Sequence, residues 1–256
     1  MSETVRKFVW YDLMTSDLKA AGEFYGKVVG WGTMDSGIVE RPYHIFTKGQ
    51  SMIGGLMPIP PDAAGMPPTW MGYIGVDNVD AYVKRVTDAG GQVVRAAEDI
   101  PNGIGRFAIV ADPHGAKIAL FSSPAGDPPK ETLHDLGHVG WHELQAGDLE
   151  SAWAFYSGLF GWEKSSGFDM GPMGEYRIFN TGGSPAGGIM TKMAEAPVPF
   201  WLFYFNVDDI NTAVDRIKEA GGKILNGPME VPGGQWIVQG FDPQGAMFAV
   251  VTPPKQ

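Results

Sequence analysis

A mostly hydrophobic run that is rich in aromatic residues and contains one charged residue, Asp12, predicts a β-strand over Phe8 to Leu13. The two-residue period of a strand places Trp10 and Asp12 on the same face. Asp17 is a suitable N-cap for the amphipathic helix that follows, and Gly30 is placed to end that helix. Further strands are predicted over Tyr43 to Thr47 and Ser51 to Met57. With one more strand directly after the helix, for which the sequence gives no bounds, the pattern indicates one β-α-β-β-β unit.

A second unit of the same kind follows the proline-rich segment Pro58 to Pro68, which suits neither a central strand nor a helix. Its helix is expected to be capped by Asp77 and to end at Gly90 and Gly91, because glycine tolerates the left-handed conformation. The residues Asp112 to Gly115 have the Asp-Pro-x-Gly order of a type I turn. The strands of this unit are predicted over Trp70 to Val76, Arg106 to Ala111 and Ala116 to Phe121.

Both units recur further along the chain. The segment Trp10 to Trp31 returns as Trp141 to Trp162, with nine identical residues at aligned positions. The second unit returns as well, with its Asp-Pro-x-Gly turn at 242–245. The chain is therefore expected to hold four units in two tandem domains. The expected boundaries are 1–124 for the first domain, 125–137 for a polar linker and 138–256 for the second domain.

The amino-acid composition excludes several classes of binding partner and site. The 256 residues include 29 acidic and 19 basic side chains, which gives a formal charge of -10. A surface of this charge repels phosphate backbones, so nucleic acid is not an expected partner. The absence of cysteine excludes disulfides, thiolate metal sites and cysteine nucleophiles. No apolar run is long enough to cross a bilayer, so we expect a cytoplasmic protein without a membrane partner.

The repeated residues resemble the signature of the vicinal oxygen chelate superfamily, which includes glyoxalase I, extradiol dioxygenases and bleomycin-binding proteins. That signature is a strand followed by D-L-x-x-A-x-x-F-Y-x-x-x-x-G-W, with D-P-x-G at the end of each pair of units, and both parts occur twice here. The resemblance implies an α+β fold of two tandem glyoxalase-like domains, in which curled mixed sheets enclose cups. In the family, such a cup holds a divalent metal ion and a substrate.

The resemblance also locates the positions at which family members carry metal ligands. The three ligands, usually His, His and Glu, map in turn to Trp10 and Trp141, Met71 and Leu202, and Ala119 and Ala249. Indole, thioether and alkyl groups do not supply the oxygen and nitrogen donors that zinc, nickel, iron(II) or manganese sites need. A metal-independent member without a cofactor is therefore expected.

Two carboxylates share the strand face of the tryptophans at the first ligand position. Asp12 and Glu143 each lie two residues beyond the tryptophan of their repeat, among aromatic residues. Such a carboxylate is a candidate general acid or base with a raised pKa, and the alternative is a structural acceptor of hydrogen bonds. Tyr73 and Tyr204 share the strand face of the second ligand position. They are candidates to orient a ligand oxygen, or core tyrosines with satisfied hydroxyls.

Histidine and glycine give weaker signals. His138 and His142 would lie about 13 Å apart along a strand, too far for joint chelation, which leaves His142 as a candidate at the rim of a cup. The pairs Gly54-Gly55 and Gly187-Gly188 predict a bulge or a close approach of the backbone to a partner.

Three functions remain open on these observations. The first is binding of a small apolar or aromatic molecule in aromatic-lined cups, and its contact residues would be Trp10, Trp141, Met71, Tyr73, Leu202 and Tyr204. The second is a glyoxalase-like lyase or isomerase that uses Asp12 and Glu143 for proton transfer without the family metal. The third is a metal-dependent enzyme with unrecognised ligands. A small molecule is the expected partner in each case, and the sequence leaves a homodimer open.

Overall fold

The computed structural model of the chain describes residues 6–38, 42–124 and 133–254. Within these ranges, four α-helices and sixteen strands follow one another as four β-α-β-β-β modules. Module 1 contains β1 (Phe8–Thr15), α1 (Leu18–Val28), β2 (Gly32–Asp35), β3 (His44–Lys48) and β4 (Ser51–Pro58). Module 2 contains β5 (Thr69–Gly75), α2 (Val79–Asp88), β6 (Gln92–Ile100), β7 (Gly105–Ala111) and β8 (Lys117–Ser122).

The second half of the chain repeats this order. Module 3 contains β9 (Val139–Ala146), α3 (Leu149–Phe160), β10 (Glu163–Asp169), β11 (Glu175–Asn180) and β12 (Pro185–Thr191). Module 4 contains β13 (Phe200–Asn206), α4 (Ile210–Glu219), β14 (Lys223–Glu230), β15 (Trp236–Phe241) and β16 (Met247–Val251). Among the described helices, none has the length and hydropathy that crossing a membrane requires.

The strands form two mixed sheets of eight. The first sheet has the order β2-β3-β4-β1-β5-β8-β7-β6, and the second has the equivalent order β10-β11-β12-β9-β13-β16-β15-β14. In the first sheet, β1 runs parallel to β4, whereas β3 and β4 are antiparallel. The equivalent strands of the second sheet pair in the same way. The predicted α+β class and the duplication are thereby confirmed.

Packing divides the chain into two compact units. The first unit comprises Met1–Val9, Gly72–Lys130 and His142–Trp201, and the second comprises Trp10–Met71, Glu131–Trp141 and Leu202–Gln256. The boundaries expected from the sequence, 1–124 and 138–256, stay a prediction. Residues 125–132 of the expected linker at 125–137 lie outside the described residues.

Polar caps fix where the helices begin. As predicted, Asp17 caps α1, and its carboxylate accepts a hydrogen bond from the N–H of Ala20 at 3.0 Å. The prediction of Asp77 as the cap of α2 is wrong by one residue, because Asn78 is the N-cap. Asp77 instead forms an ion pair with the guanidinium of Arg6 at 2.7 Å.

Aromatic rings form the centre of each unit. In the second unit, the ring of Tyr25 contacts those of Trp31, Phe46 and Trp70, with centroids 5.3 to 5.7 Å apart. Equivalent rings of the first unit pack together as well, namely Tyr156, Trp162, Phe179 and Trp201. The tryptophans that follow α1 and α3, Trp31 and Trp162, are both buried and act as packing residues.

Candidate functional site

A hydrogen-bonded cluster surrounds Asp12 on β1. The Oδ1 atom of Asp12 accepts hydrogen bonds from the Tyr43 hydroxyl at 2.8 Å and from the indole Nε1 of Trp10 at 2.9 Å. The same indole nitrogen lies 2.9 Å from the Tyr43 hydroxyl oxygen, so the three side chains form a closed triangle. Asp12 is 5% exposed, whereas Trp10 and Tyr43 are half-buried. The contact between Trp10 and Asp12 confirms that they share a strand face.

A glycine makes room for this cluster. Gly55 on β4 is the parallel partner of Asp12 on β1. A Cβ atom built on Gly55 would overlap both the Asp12 carboxylate and the Tyr43 hydroxyl. A Cβ atom on the preceding Gly54 would overlap the backbone carbonyl of Tyr11. The prediction that the pair Gly54-Gly55 marks a close approach is confirmed.

Module 3 carries an equivalent cluster around Glu143 on β9. The Tyr176 hydroxyl donates a hydrogen bond to Oε2 of Glu143 at 3.0 Å, and the amide Nε2 of Gln145 donates to Oε1 at 2.8 Å. Glu143 is 7% exposed, and its parallel partner on β12 is Gly188. A Cβ atom on Gly188 would overlap the Tyr176 ring. Both repeats therefore hold a buried carboxylate against a tyrosine hydroxyl, with a glycine opposite.

In each cluster, a nitrogen atom also donates a hydrogen bond to the carboxylate. In the first repeat this donor is the indole of Trp10, and in the third module it is the amide of Gln145, which aligns with Met14. In chemical terms, each cluster combines a carboxylate oxygen with a phenolic hydroxyl at hydrogen-bond distance. Such a pair can accept or return a proton, or it can bind a polar group of a ligand.

The structure pairs each candidate carboxylate with a tyrosine that sequence reasoning did not select. Tyr43 and Tyr176 had a visible signal, because Y-H-I-F at 43–46 aligns with Y-R-I-F at 176–179. Tyr43 directly precedes β3 and Tyr176 lies on β11. These two strands pair with the strands that carry Gly55 and Gly188. The pattern that identifies them is a tyrosine repeated at aligned positions ahead of a repeated glycine pair.

The other predicted contact residues differ in how deeply they are buried. Trp141 and Tyr73 are half-buried, and the Tyr73 ring centroid lies 6.4 Å from that of Phe107. Met71 and Leu202 are buried, with 5% and 1% exposure. Tyr204 is 2% exposed. Its hydroxyl oxygen accepts a hydrogen bond from Nε2 of Gln239 at 2.6 Å, as the alternative of a core tyrosine with a satisfied hydroxyl requires.

The expectation that His142 lies at the rim of a cup is wrong. Its ring is 3% exposed and stacks on Phe8, with centroids 4.4 Å apart. Its Nδ1 atom lies 2.7 Å from the carbonyl oxygen of Ala186. Burial lowers the pKa of His142 to about 4, although the hydrogen bond to Ala186 acts in the opposite direction. Because side chains alternate along a strand, the face that places Glu143 in its cluster sends His142 into the core.

The described parts of the chain include two surface depressions that differ in position. One, of about 400 Å³, belongs to the first unit and is formed by residues of β10 and β11 such as Lys164, Phe168 and Glu175. The other, of about 320 Å³, belongs to the second unit and lies at the C-terminal end of α1. Neither depression is lined by a predicted contact residue. An open cup beside those residues stays a prediction.

Comparison with known proteins identifies the family. The model of the Glyoxalase/Bleomycin resistance protein/Dioxygenase superfamily matches the chain twice, over residues 7–120 and 135–250. The chain belongs to this superfamily. The two matches confirm the resemblance noted in the sequence, and they confirm two tandem glyoxalase-like domains.

Relatives in the superfamily align over nearly the whole chain. One relative is CFP32 of Mycobacterium bovis, which has been provisionally named a glyoxylase. It is 36% identical in sequence, and the alignment covers 96% of this chain and 95% of CFP32. The anthracycline biosynthesis protein DnrV of Streptomyces peucetius is 32% identical, with coverage of 94% and 91%. The crystal structure of the Mn(II)-bound glyoxalase from Novosphingobium aromaticivorans matches with a TM-score of 0.69, 15% identity, and coverage of 98% and 83%. At that identity the structural match shows the fold alone.

The side chains at the superfamily's metal positions do not fit a metal ion. The indole Nε1 of Trp10 is a hydrogen-bond donor, and it is engaged by Asp12 and Tyr43. Trp141 carries the same indole group, whose N–H is a donor of hydrogen bonds and not a metal ligand. The other four positions are buried and hold side chains without oxygen or nitrogen atoms: Met71, Leu202, Ala119 and Ala249. Within the described residues, no three His, Asp or Glu side chains are grouped so that they could hold a metal. The donor set of the superfamily is therefore not reproduced at these positions.

Proposed function

We propose that this superfamily member binds a small apolar or aromatic organic molecule in aromatic-lined cups, without a metal ion at the inherited positions. The observation that carries this proposal is the tryptophan at the first ligand position. The indole of Trp10 is held at its edge by Asp12 and Tyr43 and remains half-exposed. An indole fixed at its edge offers its face for stacking on a planar ligand. Trp141 occupies the same position in the repeat and is also half-buried.

The name of one relative and the net charge of the chain support this class of ligand. DnrV is named for anthracycline biosynthesis, and anthracyclines are planar aromatic molecules. The formal charge of -10 favours a ligand with a positive group. A small molecule is then the partner, rather than nucleic acid or a membrane, and the cytoplasm is the compartment that we propose. A homodimer is compatible with this function.

Replacing Trp10 or Trp141 by Ala is expected to weaken binding of a planar cationic aromatic about fivefold, because stacking on an aromatic ring contributes about 1 kcal/mol beyond buried area. Daunorubicin is a suitable probe, titrated calorimetrically against the full chain in the presence of EDTA. Trp236→Ala is the matched control, since Trp236 is an exposed tryptophan on β15 outside the clusters. Unchanged affinity in both Trp10→Ala and Trp141→Ala would contradict stacking. Loss of wild-type binding on addition of EDTA would contradict metal independence.

A glyoxalase-like lyase or isomerase is the second candidate, and the duplicated carboxylate–tyrosine pairs favour it. In such a reaction, Asp12 or Glu143 would take a proton from the carbon next to a carbonyl and return it to the neighbouring carbon. The tyrosine hydroxyl, at 2.8 Å from Asp12 and 3.0 Å from Glu143, would hold the carboxylate in position. The proton that leaves one carbon is returned to another carbon of the same substrate, so the reaction needs no oxidant or reductant.

The double variant Asp12→Asn with Glu143→Gln is expected to lower turnover about a hundredfold, because a positioned general base contributes a factor of this order. The measurement is the rate with methylglyoxal and glutathione as a glyoxalase substrate. The double variant Asp88→Asn with Glu163→Gln changes the net charge equally at exposed positions and should retain the wild-type rate. Full turnover in the first double variant would rule out proton transfer by these two carboxylates.

A further inference from the structure

The second compact unit has a positively charged depression at the C-terminal end of α1. Three cations line it, Lys27, Lys48 and Arg216, together with one carboxylate, Asp208. Three positive charges and one negative charge leave a net charge of +2 in a volume of about 320 Å³. The whole chain carries a formal charge of -10, so this concentration of cations is opposite in sign to the protein as a whole.

The cations of the depression are held by specific contacts. The Lys48 ammonium donates hydrogen bonds to the carbonyl oxygens of Val29 and Gly30, each at 3.1 Å, and so lies against the end of α1. The Arg216 guanidinium binds both oxygens of Asp208, at 2.9 and 3.3 Å. Arg216 thereby neutralises Asp208, which is the only carboxylate among the residues that line the depression. The net positive charge of the depression therefore comes from Lys27 and Lys48.

In the first unit, side chains fill the equivalent place. The indole of Trp162 donates a hydrogen bond to the carbonyl oxygen of Arg6 at 2.6 Å. In the second unit, the indole of Trp31 donates to the carbonyl oxygen of Gly137 at 2.7 Å. Gly137 therefore occupies the position that Arg6 has in the first unit. The Arg6 guanidinium binds Asp77 at 2.7 Å and the Tyr82 hydroxyl at 3.2 Å.

The second unit lacks both of these large side chains. Arg6 aligns with Gly137, and Tyr82 aligns with Ala213. Asp77 and Arg85, by contrast, are retained as Asp208 and Arg216. The truncation of two filling side chains leaves an open depression beside retained charges. The same fold therefore carries a filled version and an open version of one surface feature.

We infer that this depression binds a small organic anion, a carboxylate with a short apolar chain. The lysines would bind the carboxylate, and Val29, Val207 and the exposed Leu136 would contact the chain. The volume of about 320 Å³ is at the lower end of the range for small-molecule sites, which matches a ligand of this size. None of these residues belongs to the clusters around Asp12 and Glu143, so the inference does not rest on the proposed function.

Hexanoate is the probe for this site, titrated against the full chain and followed by backbone amide chemical shifts. We expect hexanoate to bind at least tenfold more tightly than acetate, which lacks the chain, or hexanol, which lacks the charge. Its affinity should fall between 20 and 200 mM salt, because screening weakens contacts between exposed charges. The shifts should fall on Val29, Gly30 and Val207. Absence of binding, or equal binding of acetate or hexanol, would overturn the inference.

Variants assign the binding to the two lysines. Lys27→Gln and Lys48→Gln are each expected to weaken hexanoate binding about fivefold, the effect of losing one partly exposed ion pair. Lys19→Gln removes the same charge from the first part of the same helix, outside the depression, and should bind like the wild type. Lys27 is exposed, so its variant tests binding without disturbing the fold even if Lys48→Gln loosens the end of α1. Wild-type affinity in Lys27→Gln and in a folded Lys48→Gln protein would contradict the assignment.

Discussion

Gly55→Ala is expected to lower the free energy of unfolding by about 3 to 5 kcal/mol and to abolish ligand binding at the first repeat. The added Cβ atom would overlap the Asp12 carboxylate and the Tyr43 hydroxyl. Because Gly55 is the register partner of Asp12 in a parallel pair, the overlap cannot be relieved by a side-chain rotation of residue 55. Either β4 moves away from β1, or the carboxylate, 5% exposed, loses its hydrogen-bond donors inside the protein.

Urea unfolding of the variant and the wild type measures this cost. Gly158→Ala is the matched control, because Gly158 lies within α3 and a Cβ atom there would meet nothing within 4 Å. This control should be as stable as the wild type or gain up to about 1 kcal/mol, since alanine favours helices over glycine. Gly188→Ala should be destabilised like Gly55→Ala, because its Cβ atom would overlap the Tyr176 ring. A Gly55→Ala protein of wild-type stability would show that the cluster is loosely packed.

Local signals in the sequence were sufficient for much of the fold. The aromatic-rich run that begins at Phe8 and the cap at Asp17 are signals that act within a few residues, so β1 and α1 were predictable. The short strand β2 (Gly32–Asp35) is exposed at all four residues and has no alternating pattern, so the sequence offered no bounds for it. At the edge of its sheet, this strand is held by backbone pairing with β3, which leaves few traces in side-chain chemistry.

The candidate site was predictable only in part, because several of its contacts join strands that are distant in the sequence. The period of one strand predicted that Trp10 and Asp12 share a face, and their hydrogen bond follows from it. The contact of Asp12 with Tyr43 depends on the register of β1, β4 and β3, which no short-range pattern encodes. The burial of His142 likewise depends on a stacking partner, Phe8, that is distant in the sequence. Tertiary contacts of this kind became visible in the sequence only where the repeat duplicated them.

Tyr25→Phe is expected to lower the free energy of unfolding by about 3 to 4 kcal/mol, because it removes one hydroxyl that serves two buried partners. The Tyr25 hydroxyl donates to Oδ2 of Asp242 at 3.2 Å and accepts from Nε1 of Trp70 at 2.9 Å. All three residues are buried, so neither partner can turn to bulk water. The first unit repeats the arrangement with Tyr156, and Tyr156→Phe should be destabilised in the same sense.

The cost of Tyr25→Phe should depend on pH. Burial raises the pKa of Asp242, and the hydrogen bond from Tyr25 acts against that rise. A carboxyl group whose pKa is higher in the folded state than in the unfolded state stabilises the fold below its unfolded pKa, and this contribution is lost as pH rises through the folded pKa. Removing the hydroxyl raises the folded pKa of Asp242 further. The difference in unfolding free energy between variant and wild type should therefore be larger at pH 8 than at pH 4.

A double-mutant cycle with Asp242→Asn separates the charge from the packing of the ring. The asparagine amide is neutral at every pH, and its oxygen can still accept the backbone N–H groups of Gln244 and Ala246 that bind Oδ1 of Asp242. In the Asp242→Asn background, the cost of Tyr25→Phe should shrink and lose its dependence on pH, because no buried carboxylate is left without a donor. Equal costs in both backgrounds at pH 8 would mean that the loss arises from Trp70 alone. The pH dependence thus decides whether the buried tyrosine acts mainly on the carboxylate or on the indole.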